Sequence, residues 1–167
     1  MKQLLWATML VLCSLPIVAC QAQDTETAEQ GVDRIELERS AVAAFKAYAS
    51  LLRESKFTES IDYYADDPRF VWVEDGAIKY DKKAQIKRAL EGITQQGVVV
   101  SNFGLPTVWA LNDTQVMVFA KFRTTVGKGS ADEFTFAGAI TAVMENRAEG
   151  WQFISGHTSS APAGNGF

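Results

Sequence analysis

The apolar residues of this chain change their spacing at Gly97, and this change constrains the fold more than any other feature of the sequence. Before Gly97 they recur every three or four positions, as on one face of an amphipathic helix. After it they alternate with polar residues, as in strands that bury one face. Short turns separate the strand segments, so neighbouring strands are expected to pair antiparallel. The sequence therefore predicts an α+β fold, with helices packed on one face of a curved sheet.

The spacing predicts three helices in the first half of the chain, at about Ile35 to Ser55, Phe57 to Ala65 and Lys82 to Gln95. Asp81 is the predicted N-cap of the third helix. Between the second and third helices, the aromatic and β-branched segment Arg69 to Val73 predicts a strand, and Glu74-Asp75-Gly76 predicts a turn. The predicted later strands are Val98 to Leu111 with an irregularity at Gly104-Leu105-Pro106, Gln115 to Val126, Glu133 to Met144, and Trp151 to Ser160.

Residues 1–19 are predicted to be a signal peptide. Lys2 precedes an apolar run from Leu4 to Val18, which is as long as a signal-peptide core and shorter than the ~20 residues that span a bilayer. The run ends in Ile17-Val18-Ala19-Cys20, which resembles the bacterial lipobox, whose Cys is lipidated and becomes the new N-terminus. The sequence thus predicts an exported protein anchored through Cys20. The alternative is ordinary cleavage after Ala22, with Cys20 lost.

The rest of the chain is predicted to form one domain over residues 35–160, preceded by a flexible polar tether over 20–34 and followed by a loose tail over 161–167. The other cysteine, Cys13, lies in the signal peptide, so the mature domain has no disulfide. Sixteen Lys and Arg against 20 Asp and Glu give a net charge of -4, so nucleic acid is not an expected partner. The residue after Cys20 is not Asp, and the lipoprotein resemblance then implies a periplasmic protein on the outer membrane of a Gram-negative bacterium.

Two segments, Tyr64 to Gly76 (YADDPRFVWVEDG) and Gly150 to Ser160 (GWQFISGHTSS), resemble the SnoaL-like branch of the nuclear transport factor 2-like (NTF2-like) superfamily, as does the order of elements. The resemblance covers nearly all of residues 35–160. It implies a cone-shaped fold, with three N-terminal helices packed in a strongly curved, mostly antiparallel sheet and an apolar cavity at the wide end. It also implies a homodimer formed through the outer face of the sheet. Because the superfamily includes isomerases, cyclases, dehydratases and binding subunits, the resemblance does not predict one activity.

His157 is the only histidine of the chain. Period-two alternation along the last strand predicts that five side chains share one face: Trp151, Phe153, Ser155, His157 and Ser159. If Trp151 and Phe153 face the helices, His157 faces the cavity, where an imidazole can act as a general acid or base. The alternative is a histidine at the cavity mouth that bonds a neighbouring group. One histidine and no usable cysteine predict no metal site.

Tyr48 lies in the middle of the first helix, at an offset before Asp66 that resembles the position of the oxyanion-binding tyrosine in the superfamily's steroid isomerases. The alternative is an amphipathic core residue whose hydroxyl is hydrogen-bonded within the protein. The positions of the two catalytic carboxylates of those isomerases correspond to Trp72 and Ala139 here. Because both carboxylates are missing, the domain is not expected to isomerise 3-ketosteroids. Glu74 shares a strand face with Trp72 and could replace the missing base. Its turn-like neighbours favour a solvated carboxylate instead.

Two functions remain open. In the first, the domain binds a small apolar or amphipathic molecule in its cavity without a cofactor, and Trp72, Glu74 and Ser159 contact that molecule. In the second, the domain is a cofactor-independent lyase, cyclase or isomerase in which His157 and Tyr48 are catalytic. In both, the membrane is contacted only through the lipid anchor. The predicted homodimer interface includes the small and apolar side of one strand: Ala137, Ala139, Thr141 and Val143.

Overall fold

The computed structural model describes residues 22–162 apart from residue 96, and side chains from residue 33 to residue 161. The predicted signal peptide, the Cys20 anchor and most of the predicted tail lie outside these residues. The helices are α1 (Ala22–Arg53), a 3-10 helix (Thr58–Tyr63) and α2 (Lys83–Thr94). The strands are β1 (Val71–Glu74), β2 (Ala77–Tyr80), β3 (Val100–Phe103), β4 (Thr107–Ala110), β5 (Gln115–Val126), β6 (Phe134–Arg147) and β7 (Gly150–Pro162).

Helix α1 begins earlier than predicted, at Ala22, and includes the segment whose polar composition predicted a flexible tether. That segment contains Ala, Glu and Gln and no Pro, so a helix nucleated farther along the chain can propagate through it. The helix ends as a Schellman motif, in which Ser55 has a left-handed backbone (φ 62°) and the Lys56 N–H donates to the Leu51 carbonyl. Within the described ranges, neither α1 nor α2 has the length and apolar character needed to cross a membrane.

The predicted turn at Asp75-Gly76 leads into strand β2, which the sequence did not predict. Both turn residues have positive φ (48° and 85°), as in the two-residue turns that suit a tight hairpin. The prediction that Asp81 caps α2 is wrong. The N-cap is Lys82, without a side-chain cap, and the Asp81 N–H donates to the Gln85 side chain at 2.7 Å.

The seven strands form one curved, unclosed sheet in the order β2-β1-β7-β6-β5-β3, and β4 also pairs with β5. Only the β1–β7 pair is parallel. The predicted irregularity at Gly104-Leu105-Pro106 divides one predicted strand into β3 and β4, which pair with opposite halves of β5. Helices packed inside a curved, mostly antiparallel sheet confirm the predicted α+β fold and the cone that the family resemblance implied.

A β-bulge in β7 reverses the face on which its second half displays its side chains. Val143 pairs with Ser155 and Met144 pairs with Phe153, so Ile154 is an extra residue on β7. After a one-residue insertion, every following side chain lies on the opposite face. Gly156, Thr158 and Ser160 therefore lie on the inner face, whereas Ser155, His157 and Ser159 lie on the outer face. The prediction that all five alternate residues face the helices is wrong for these last three.

The core at the Gly150 end of β7 is built around the fully buried ring of Phe153. Its centroid lies 5.0 to 6.4 Å from the centroids of four other rings: Phe45, Tyr48, Tyr64 and Trp72. This packing joins α1 to the inner face of the sheet. Beside it, four side chains form a charged cluster on the surface: Asp67, Arg69, Glu145 and Arg147.

Candidate functional site

A cavity of about 610 Å³ lies at the other end of β5, β6 and β7, between the sheet, α2 and the second half of α1. Its volume falls within the range of small-molecule sites. Most of its wall is aromatic or aliphatic, including Leu52, Phe57, Leu90, Phe103, Phe122 and Phe136. Polar side chains interrupt this apolar wall mainly where β1 meets the hairpin turn, and a bound molecule would find its polar contacts there.

Tyr48 of α1 and Tyr64, which follows the 3-10 helix, form a buried pair on the cavity wall. Their hydroxyl oxygens are 2.8 Å apart. Burial raises the pKa of Tyr48 to about 12 and holds the pKa of Tyr64 well above its usual value, so both hydroxyls stay protonated at neutral pH. The mutual hydrogen bond uses one of the two protons. The other remains to donate to an acceptor on a molecule in the cavity.

Glu74, the last residue of β1, is a half-buried carboxyl on the same wall. Burial raises its pKa, the positive charge of Lys79 opposes this effect, and the negative charge of Asp75 adds to it. Burial is the main cause that raises the pKa values of Tyr48, Tyr64 and Tyr80, and the negative charge of Glu74 adds a smaller increase to each. The negative charge of Glu74 therefore acts on all three tyrosines. The alternative prediction of a solvated turn carboxylate does not describe this arrangement.

Asp75 holds the rim of the cavity in place. Its carboxylate accepts hydrogen bonds from the Ser160 N–H at 2.7 Å and from the Ser160 hydroxyl at 3.0 Å. These bonds lower its pKa, with the backbone N–H contributing most. Asp75 therefore fixes the β1–β2 turn against the end of β7.

A model of the SnoaL-like domain matches residues 41–164. The chain belongs to the SnoaL-like domain family. No curated protein matches it in sequence.

Several solved structures share the fold of this SnoaL-like domain. An NTF2-like superfamily protein from Salmonella enterica has a TM-score of 0.63 and 13% identity, over 78% of this chain and 96% of the other. A Novosphingobium aromaticivorans protein provisionally described as a scytalone dehydratase has a TM-score of 0.64 and 13% identity, over 83% and 88% of the two chains. LinA has a TM-score of 0.63 and 11% identity, over 81% and 95%. At these identities the likeness shows the fold alone.

Three of the predicted site residues of the SnoaL-like domain come together. Tyr48, Trp72 and Glu74 all lie on the wall of the cavity. Tyr48 is there because the helical period places it on the inner face of α1, and Trp72 and Glu74 because alternate residues of β1 share a face.

His157 and Ser159 are not part of this wall. Both are exposed on the outer face of the sheet, where His157 pairs with Thr141 of β6. The extra residue Ile154 is the physical reason, because it shifts the alternation by one position. A site that unites His157 with Tyr48 is therefore not formed. Ala139 also lies on the outer face, and its neighbour Ile140 lines the cavity.

Sequence reasoning missed Tyr64, Tyr80, Thr158 and Ser160 as residues of the cavity wall. Tyr64 opens one of the segments that identify the family, but its partner Tyr48 is distant in sequence, so no local pattern joins them. Regular alternation along β7 puts Thr158 and Ser160 on the outer face of the sheet, and the bulge moves them to the inner face. Among the residues that the structure describes, no group of three or more His, Cys, Asp and Glu side chains is placed to hold a metal ion.

Proposed function

We propose that this SnoaL-like domain binds a small apolar or amphipathic molecule in its cavity. The observation that carries the proposal is a cavity of about 610 Å³ whose wall is mostly aromatic and aliphatic. Burial of an apolar body against such a wall supplies affinity, and the spare tyrosine proton and Glu74 orient the polar end. No cofactor is needed for this function.

A cavity-filling variant tests the proposal. Ala89 lies on the cavity wall in α2, so Ala89→Phe should occupy part of the cavity and reduce the melting-temperature shift caused by apolar ligands. Ala84→Phe is the matched control, because Ala84 is exposed on the same helix. Equal ligand-induced shifts in wild type and both variants would contradict binding in this cavity.

We also propose that the protein is exported and anchored to the outer membrane through Cys20, with the membrane contacted only through the lipid. The Ile17-Val18-Ala19-Cys20 sequence supports this proposal. Cys20→Ser should move the protein from the membrane fraction to the soluble periplasmic fraction. Unchanged fractionation, with cleavage after Ala22, would contradict the anchor.

The proposed homodimer uses the outer face of the sheet. Trp109 is 59% exposed there, and its ring centroid lies 4.8 Å from that of Phe119. Phe119 pairs with Thr141, so the aromatic pair borders the small and apolar side of β6, where Ala139, Thr141 and Val143 are partly exposed. Ala137, which the sequence also placed in this interface, is buried. An exposed apolar area of this kind is typical of an interface.

Light scattering at tens of micromolar should give the mass of a dimer. Trp109→Glu should shift it toward the monomer, and Leu105→Glu, a change at another exposed apolar residue, should not. A monomeric mass for the wild type would contradict the homodimer.

A second candidate function is acid–base catalysis on a carbonyl compound, and the observation that favours it is that Glu74 and the hydrogen-bonded pair of Tyr48 and Tyr64 line the same cavity. Glu74 would take a proton next to the carbonyl and return it elsewhere, while the spare tyrosine proton stabilises the enolate oxygen. Glu74 here replaces His157 as the base. The expectation that 3-ketosteroids are not isomerised stays a prediction.

Deuterium exchange at the α-carbon of a small cyclic ketone such as 2-tetralone tests this second function. Exchange catalysed by the wild type should be lost in Glu74→Gln and kept in Glu149→Gln, since Glu149 is exposed in a turn away from the cavity. Exchange at the rate of the buffer would exclude this chemistry for that ketone and leave the binding function as proposed.

A further inference from the structure

The ionised groups on the cavity wall all have one sign. Among its lining residues are Glu74 and Asp75 but no Lys, Arg or His. Lys79 acts electrostatically on both carboxylates, and His157 acts on Asp75, but neither side chain is part of the wall. A molecule that enters the cavity therefore meets negative charge without a compensating cation in contact with it.

The two carboxylates differ in whether their oxygens already accept hydrogen bonds from the protein. Both oxygens of Asp75 accept hydrogen bonds from Ser160, and those bonds hold the turn. The Glu74 side chain takes part in no hydrogen bond or ion pair among the described residues, although it is partly buried. A partly buried carboxylate without a partner is costly, and a cation placed beside it offsets that cost. Glu74 is thus the group on this wall that a ligand can satisfy.

Aromatic rings lie on the same part of the wall. Trp72 is two residues before Glu74 on the same face of β1, and it pairs across the hairpin with Tyr80. The ring centroid of Tyr64 is 5.5 Å from that of Trp72. Aromatic faces attract ammonium groups through their quadrupole, most strongly where water is excluded. Several rings and one carboxylate together form a surface that favours an organic cation.

We propose that the cavity selects apolar molecules that carry an ammonium group, with Glu74 as the counter-ion and Trp72, Tyr64 and Tyr80 as the rings around it. This inference rests on the proposed binding function and names its ligand class. A carboxylate on the same apolar body would face Glu74 with like charge, and the single spare tyrosine proton is its only donor from the tyrosine pair. The expected order of affinity is ammonium, then neutral alcohol, then carboxylate.

Three naphthalene derivatives of one size test this order at neutral pH: 2-naphthylmethylamine, 2-naphthalenemethanol and 2-naphthoate. Calorimetry on the purified protein should give a dissociation constant for the amine about tenfold lower than for the alcohol, and one for the naphthoate about tenfold higher than for the alcohol. This charge series uses the wild type alone, so its result does not depend on the folding of any variant.

Glu74→Gln removes the charge and keeps the shape of the side chain. In this variant the affinities for amine and alcohol should differ by less than about threefold, because the counter-ion is gone. Glu149→Gln, which changes an exposed glutamate, should keep the tenfold difference. A preference for the amine that survives Glu74→Gln would overturn the assignment of Glu74.

The outcomes separate the two proposals. If the alcohol or the naphthoate binds the wild type as tightly as the amine, the charge selection is overturned while binding in the cavity stands. If none of the three binds, the proposed binding function itself fails, and the charge selection fails with it.

Discussion

Each end of the long strands β5, β6 and β7 has a carboxylate beside it, but one carboxylate is ion-paired and the other is not. At the closed end, defined here by Phe153 and the charged cluster, Asp67 bonds both Arg69 and Arg147. At the open end, defined by the cavity, Glu74 has no such partner among the described residues. The pKa of Asp67 is lowered, chiefly by the hydrogen bond from Arg69, whereas burial raises that of Glu74. An ion-paired carboxylate such as Asp67 stabilises the fold, whereas an unpaired carboxylate beside a cavity, such as Glu74, can bind a ligand.

Packing differs between the ends in the same way. At the closed end, Met144, Val116 and Phe153 are fully buried. At the open end, the inner face of the sheet is covered only partly by α2, and about 610 Å³ remains unfilled. Substitutions at the closed end should therefore change stability, and those at the open end should change binding.

The largest effect is expected at the closed end from Phe153→Ala. The ring contacts four other aromatic rings, so its removal leaves a cavity in the core and should lower the free energy of unfolding by about 3–5 kcal/mol. Urea denaturation measures this change. Phe134→Ala is the control, since Phe134 is 55% exposed and should cost less than about 1 kcal/mol. Equal losses in the two variants would break the comparison between the ends.

Gly156→Ala tests the boundary between the ends. An added Cβ would lie 2.3 Å from the Trp72 ring, so the ring has to move. Overpacking of this kind costs about 1–3 kcal/mol, and the displaced ring should also weaken ligand binding. Thermal unfolding and ligand titration of the same variant measure both effects. A change in stability without any change in binding would show that Trp72 belongs to the closed end alone.

The pH dependence of stability sharpens the contrast. Because the folded pKa of Asp67 is below its unfolded value of about 3.9, its stabilising contribution is complete above that pH and is lost as the pH falls through the folded pKa. Asp67→Asn should be less stable than the wild type at neutral pH, and the difference should shrink in acid. Thermal unfolding between neutral pH and about pH 3 measures it. A constant difference across this range would contradict the role of the charge.

The smallest effect is expected at the open end from Glu74→Gln, and its sign is opposite. The raised pKa of Glu74 means that its ionised form is disfavoured in the folded protein, so this penalty is present at neutral pH and disappears as the pH falls below the raised pKa. The variant should be more stable than the wild type at neutral pH by less than about 1 kcal/mol. Thermal unfolding without ligand measures it. A loss of stability at neutral pH would indicate that Glu74 has a structural partner.

The sequence by itself determined the class of fold and three residues of the site, which are Tyr48, Trp72 and Glu74. Strand β5 has the predicted bounds, because regular alternation between two turn signals is a local property. Tyr48 faces the cavity because helical spacing puts it in phase with Phe45 and Leu52, which are also buried. Glu74 and Trp72 follow from the same argument applied to two positions of one strand.

Only the tertiary structure decided the rest. The extra residue Ile154 is apolar, like the residue before it, so nothing in its own segment marks the bulge; it exists because β6 pairs with Phe153 on one side of it and Ser155 on the other. That register between distant strands put His157 outside and Thr158 inside. The pairing of Tyr48 with Tyr64 and the half-burial of Glu74 depend likewise on how α1, α2 and the sheet pack together. Alternation within one segment predicts a face only while the strand stays regular, and its regularity is set by the partner strand.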